Sequence, residues 1–356
     1  MKMLLTDFKP VFRKNVLDLL WSQWTTSGIS GYGREWHGSP IDPEALIITT
    51  CTIARHDARL FDAMLEWMSI NGRYINVQRL KKIIKTEEFS GEQVFKAVAA
   101  TTKTSTSTAK WRKITDTIEM PAAPSALFYL KDDSPMPIVG KPDAVFAEYG
   151  LLRDDFKPRG VAVKYPPFPT ENLLLRLRAL FGVNARCEIM ANLLLKGLGS
   201  PRLLARETYY FPATITKAMS ELRDTGFVIS KMDGRRRFHK LVPNAWNELF
   251  LGDSCPVWIV WPRVFSALES IWNFLSDEDL QNKTTIAQAS SIRRLLLNSV
   301  IDKLETCGLD FSFGNISHSH GEQLIPVFTE RINAFFSILS SPDFKQPPVD
   351  LNPKLS

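Results

Sequence analysis

Cysteine, histidine and long apolar runs are what this chain has least of, and each scarcity excludes something. Its 4 cysteines, Cys51, Cys187, Cys255 and Cys307, stand far apart without a C-x-x-C pair, which leaves neither a disulfide framework nor a thiolate zinc site. No run approaches 18 uninterrupted apolar residues, so no membrane span is expected. The opening MKMLLTDFKPVFRK meets charge too early for a secretory apolar region. The expected location is therefore the cytoplasm, with the thiols reduced and mostly buried. The one glycine cluster, Gly28, Gly31 and Gly33, lacks a preceding strand and the Lys-Ser/Thr of a phosphate loop; it reads as a flexible loop. Among only 5 histidines, His318 and His320 near Glu322 offer ligand atoms, but two nitrogens in a Ser/His/Gly loop do not complete a metal site. Glu35, His37 and Asp42 lie together without a nucleophile, and His56-Asp57 reads as a helix junction. We expect no enzyme, no metal and no cofactor. An unfamiliar active site within residues 20–60 is the alternative that this leaves.

What is present is ordinary in amount and uneven in place. An apolar share of 44% with 23% charged residues suits a globular protein of two or three domains. The formal excess of +6 is concentrated: residues 171–251 hold 13 Lys/Arg against 7 Asp/Glu, so the rest of the chain is balanced. A localised cationic excess is the footprint of a polyanion partner, of which nucleic acid is the commonest.

That same stretch carries the clearest pattern. Leu173, Leu174, Leu177, Leu180 and Phe181 mark one helix face, ended by Gly182. Asn184 caps a second helix with Ile189, Met190, Leu193 and Leu194, broken by Gly197 and Gly199. Ser200-Pro201 opens a third through Glu207. A fourth starts near Pro212 and buries Ile215, Met219 and Leu222, leaving Thr214, Thr216, Lys217, Ser220 and Arg223 off that face. Phe227 to Met232 and Arg235 to Leu241 flank Asp233-Gly234, a pair favoured in two-residue hairpin turns. Lys231, Arg235, Arg236, Arg237, His239 and Lys240 then surround the tip and flanks of a ribbon.

From LRALFGVNARCEIMANLLLK through SPRLLARETYYFPATITKAMSELRDTGFV to DGRRRFHKL, this region resembles winged helix-turn-helix transcriptional regulators of the ArsR/MarR type. The resemblance covers about residues 171–251. It implies duplex DNA as partner, a recognition helix presenting Thr214, Thr216, Lys217, Ser220 and Arg223, a wing presenting Lys231, Arg235, Arg236, Arg237, His239 and Lys240, and a homodimer. Two departures stand out. Phe211 occupies the usual capping position, and Pro212 and Ala213 replace polar residues at the tip, none able to form bidentate base contacts. The alternative is an adaptor or antitoxin-like subunit whose winged helix holds a protein partner.

Around this centre we expect a mainly α, multidomain protein. Residues 1–108 read as an N-terminal helical domain, with Phe12, Val16, Leu19, Leu20 and Trp24 on one face, a helix start at Asp42-Pro43-Glu44, a helix from Asp57 to Ile70 and another capped by Asn76. The side of that last helix bearing Arg79, Lys81, Lys82 and Lys85 reads as a solvated basic face, or as a second DNA surface. A further helix spans Ser90 to about Ala100, and Thr101 to Thr108 is too polar to pack. Residues 109–170, interrupted by proline, read as a connector with a strand at Ala126–Leu130 and a helix at Asp143–Leu152. Residues 252–345 read as a helical bundle for dimerisation or signal reception. Its stripes are Phe265, Leu268, Ile271, Trp272 and Leu275; then Ile292, Leu296, Val300 and Leu304; then Ile325, Phe328, Ile332, Phe335, Phe336 and Leu339. The last stripe is the expected contact with a second copy.

Overall fold

A computed structural model describes residues 4–103, 108–115, 123–233, 236–242, 245–252, 254–314, 316, 319 and 321–341. The chain is mainly helical with a small antiparallel ribbon, and it divides into two compact units. One comprises residues 16–36 and 42–167; the other comprises 1–15, 37–41 and 168–356. The four segments read from the sequence thus fall into two bodies: 42–108 and most of 109–170 share one, and 171–251 and 252–345 share the other. Helix α1, Leu5–Thr26, contributes to both.

In the first unit, α2 (Pro43–Ile53), α3 (Ala58–Asn71), α4 (Val77–Glu87), α5 (Glu92–Lys103) and α6 (Thr108–Thr115) follow the expected order. Asp42, Asp57 and Asn76 each cap the following helix through a side-chain oxygen, satisfying amides that have no partner inside the helix. The core holds Val16, Leu20 and Trp24 of α1, with Trp24 edge-on to Trp67 at 5.1 Å and donating to Thr50 Oγ1 at 2.9 Å. Helix α5 runs on to Lys103 and buries Thr102, so the polar run is partly packed; residues 104–107 lie outside the described residues.

Arg79 differs most from its sequence reading. It is buried, and its guanidinium reaches Asp42 Oδ1 at 2.8 Å and Glu44 Oε2 at 2.6 Å. Lys81 and Lys85 are exposed, so the basic face of α4 persists without its arginine.

The proline-rich segment is folded onto α3. Prolines cannot donate to a ladder, so its backbone groups need other partners. Arg55 donates to the carbonyls of Ala126 and Leu127, Glu66 accepts from the amides of Arg159 and Val161, and Asn71 bonds Val163 O and Tyr165 N. The expected strand at 126–130 shrinks to β1, Ser125–Ala126, and the expected helix at 143–152 to α7, Ala144–Glu148. Leu151–Leu152 becomes β2, parallel to β1. The glycine cluster is half paired: Ile29 bridges Ala162, and Ser30 N donates to Val161 O.

In the second unit, α8 (Leu173–Phe181), α9 (Ala185–Lys196), α10 (Pro201–Thr208) and α11 (Pro212–Asp224) precede β3 (Val228–Asp233), β4 (Arg236–Leu241) and α12 (Ala245–Phe250). Then come α13 (Trp261–Leu275), α14 (Thr285–Leu295), a π-helical turn at Leu296–Val300, α15 (Ile301–Glu305) and α16 (Leu324–Leu339). All three C-terminal stripes are buried, the middle one despite the change of helix type. Phe8 and Phe12 of α1 pack against Phe328 and Phe336, at ring distances of 6.0 and 5.7 Å. The stripe expected to meet a second copy is therefore covered by its own chain, as apolar area finds the nearest partner that removes it from water.

Candidate nucleic-acid interface

Helix α9 positions everything else in residues 171–251. Ala185 and residues 187–194 are all buried, and it packs against α8, α10, α11 and β4. Polar clasps fix the three helices among them. The buried Glu188 accepts from Arg178 of α8 and, at 3.0 Å, from the Tyr210 hydroxyl in the turn before α11. Glu207 of α10 accepts from Asn192 and Lys196, both at 2.8 Å, and Glu221 of α11 accepts from Arg186 at 2.9 Å.

The turn from α10 to α11 is Tyr209, Tyr210 and Phe211. Tyr209 takes φ +61°, a left-handed conformation that costs a non-glycine residue roughly 1–2 kcal/mol, and it buries its ring. Phe211 precedes α11 without a side-chain cap and is 67% exposed. Ile215, Ala218, Met219 and Leu222 face inward, so Ala213, Thr216, Lys217 and Ser220 point outward, flanked by Thr214. Thr214, Thr216 and Lys217 are exposed; Ser220 and Arg223 are half-buried. The Thr216 hydroxyl donates back to the Pro212 carbonyl at 3.0 Å.

In the ribbon, Val228 pairs with Leu241 and Asp233 with Arg236, so Asp233 belongs to the strand instead of the turn. The register is set at the base, where Val228 and Leu241 are both buried. Opposed residues share a face. Ser230, Met232, Arg237 and His239 lie on one side, and Ile229, Lys231, Phe238 and Lys240 on the other. Lys231, Arg237 and Lys240 are exposed. Residues 234 and 235, including the expected contact Arg235, lie outside the described residues, and Arg236 is placed only as a position in β4.

His239 departs from the expected set, being 2% exposed. Its Nδ1 is 2.9 Å from Ser230 Oγ, and its backbone exchanges two hydrogen bonds with Gly199 between α9 and α10. Burial and the nearby Arg223 and Arg237 push its pKa down. This inward residue thus marks a corner where the end of α11 meets the ribbon. Arg223 also donates to Ser220 Oγ at 3.3 Å, and its buried Nε has no hydrogen-bond partner among the described residues.

The sequence reading passed over two further cations, Arg202 and Arg206, which are exposed on α10. Their spacing of four, off Leu204 and Ala205, was the available signal. Leu180 and Phe181, expected on the apolar face of α8, are exposed at 63% and 38%. They border an aromatic group in which Trp246 lies 4.9 Å from Phe227, 6.2 Å from Phe181 and 5.7 Å from Phe250.

The other candidates do not assemble. His318 and His320 lie outside the described residues, and no group of three or more His, Cys, Asp or Glu placed to hold a metal occurs among the described ones. His37 lies 3.8 Å from Glu171, and Asp42 is engaged by Arg79. In the other unit, Asp62 and Arg153, paired at 2.7 Å, line a cleft of about 220 Å³ with Asp154, Asp155 and Lys157. Burial raises the Asp62 carboxyl despite that arginine. No helix among the described residues is long and apolar enough to cross a membrane. No family model, curated protein or solved structure matches the chain.

Proposed function

We propose that residues 171–251 are a winged helix-turn-helix that binds duplex DNA, as the DNA-contacting part of a transcriptional regulator. The order of α9, the Gly199 bridge, α10, a three-residue turn, α11 and the ribbon supports this reading. The observation that carries it is the corner at His239, which ties the ribbon to Gly199 between α9 and α10 with Arg223 of α11 close by, while β3 packs against α11. Exposed Arg202, Arg206, Lys217, Lys231, Arg237 and Lys240 all belong to these linked elements, and none forms an ion pair among the described residues. Such cations hold phosphates and fix register, while the helix meets base edges.

The test is duplex affinity of the full chain across a salt series. Replacing Lys231, Arg237 and Lys240 by Ala is expected to flatten the log-log slope by about 0.9 for each phosphate no longer neutralised. An unchanged slope and affinity in a folded variant rejects the assignment. Two copies on one pseudo-palindromic site, with half-site centres about 34–36 Å apart, belong to the same proposal. Light scattering with and without DNA measures the copy number, and a single copy per site overturns that part.

A second reading has its own observation. Phe181 and Phe227 are exposed beside Trp246, and Leu180, Ile229 and Leu249 are exposed on α8, β3 and α12. An apolar surface of this kind suits a protein partner. Under this adaptor reading, Phe181→Asp with Leu249→Asp abolishes partner capture while duplex affinity in the salt series is absent from the outset.

A further inference from the structure

The first two turns of α11 are poorly equipped for hydrogen-bonded base recognition. Bidentate reading of a guanine takes Arg or Lys and of an adenine Asn or Gln, and a cytosine is read by an acid; a threonine offers only one hydroxyl, or its methyl. From Phe211 to Thr216 the chain offers Phe, Pro, Ala, Thr, Ile and Thr, of which Ile215 is buried. Thr216 donates its hydroxyl proton to Pro212, which leaves its methyl as the outward group without a competing donor. The exposed groups before Lys217 are therefore mostly apolar: the Phe211 ring, the Pro212 ring and the methyls of Ala213, Thr214 and Thr216, with the Thr214 hydroxyl beside them. Exposed cations stand on the same helix and on elements of the same region: Lys217 on α11, Arg202 and Arg206 on α10, which packs against α11, and Arg237 on the ribbon, whose first strand packs against α11. An apolar tip on elements that also carry exposed cations matches one feature of duplex DNA, the thymine 5-methyl groups that line the major groove between two rows of phosphates.

We infer that the leading end of α11 selects its sites by contact of Phe211, Ala213 and Thr216 with thymine methyl groups. The inference rests on the DNA-binding reading above. Preferred sites are rich in A·T pairs under the helix tip, and Lys217 is the hydrogen-bonding group that orients the contact. Each buried methyl is worth about fourfold in affinity. Thr216→Ser removes one methyl and keeps the hydroxyl that bonds Pro212. Uracil in place of thymine removes the opposing methyl and keeps every Watson–Crick and minor-groove group. The pair of changes isolates one contact.

The experiment selects preferred duplexes from a randomised library with the full chain, then measures affinity for the selected duplex with thymines replaced one at a time by uracil. One or more positions are expected to lose about fourfold, and at one of them Thr216→Ser loses the same factor on thymine and nothing further on uracil. Phe211→Ser, checked for folding by its thermal transition, is expected to erase the loss at a second position. If an A·T preference survives complete uracil substitution, it comes from groove shape and the inference is overturned. Selection of G·C-rich sites, or none, overturns it as well. Failure to bind any duplex at low salt is a separate result that rejects the DNA-binding reading itself.

Discussion

Arg79 and Arg178 are buried to a similar depth, one in each compact unit, but their surroundings differ in kind. Arg79 meets two carboxylates, Asp42 and Glu44, which also serve backbone amides: Asp42 accepts from Ala45 N at 3.1 Å and Glu44 from Asn76 N at 2.6 Å. Its acids belong to a helix start that would exist without it. Arg178 meets the carboxylate of Glu188, whose other oxygen takes the Tyr210 hydroxyl. That group joins two helices and a turn through side chains. A buried charge is tolerated only when its partners are complete. The acids of the first centre also serve backbone amides and the acid of the second also serves a phenol, so the second is expected to be the more replaceable.

The largest effects test this directly. Arg79→Ala leaves two buried carboxylates unbalanced, and Glu188→Ala leaves a buried guanidinium and an orphaned hydroxyl. Each is expected to cost on the order of 3–5 kcal/mol, read from urea midpoints, with Arg79→Ala the larger. Replacing Arg178 with Met, Glu188 with Leu and Tyr210 with Phe together is expected to restore most of that loss, because an apolar set removes the ion pair and its desolvation cost at once. The matching removal of Arg79, Asp42 and Glu44 is expected to remain destabilised, since the amides of Ala45 and Asn76 lose their acceptors. Equal recovery in both would erase the distinction.

A smaller effect concerns the corner that joins α11 to the ribbon. His239 has its pKa held below the ordinary value by burial, then by Arg223 and Arg237. The unfolded chain therefore takes up the proton first on acidification. The contribution of neutral His239 is complete above about pH 6.5 and is lost as the pH falls through the depressed folded value. Protection of the β3 and β4 amides, taken as exchange relative to the intrinsic rate at each pH, is expected to fall between pH 7.5 and 5.5, and His239→Gln is expected to flatten that dependence. An identical pH response in the variant would show that another group titrates. For the proposed DNA contact, the same change loosens the ribbon in acid and adds no phosphate ligand, because the ring faces inward.

The smallest expected effect sharpens the comparison at equal chemistry. Asn76 caps α4 beside Arg79, and Asn184 caps α9 one turn before Glu188, each through its Oδ1. Either change to Ala is expected to cost about 1 kcal/mol in thermal or urea unfolding. An excess at Asn76 over Asn184 would show that the Arg79 centre depends on the cap as well as the acids.

The sequence by itself determined the helices and where they begin. Asp42, Asp57, Asn76, Asn184 and Ser200 all cap the helices that follow them, and Ile215, Met219 and Leu222 are buried together, because capping and periodicity are properties of a few neighbouring residues. The outward placing of Thr214, Thr216 and Lys217 follows from the same arithmetic. Tertiary structure decided what became of each face. Arg79 reads as solvated because nothing local announces that Asp42, 37 residues earlier, will receive it. Leu180 and Phe181 continue an apolar pattern beyond the reach of α9, so they stay exposed, and His239 sits among basic neighbours in sequence but faces Ser230 and Gly199 in space. The proline-rich segment has no period to read, since its backbone bonds go to side chains of α3 and its neighbours nearly a hundred residues away. The last C-terminal stripe was legible as apolar, but Phe8 and Phe12, from the other end of the chain, cover it. Apolar burial is non-directional: the pattern tells that a face will be covered, and only the closed chain tells by what.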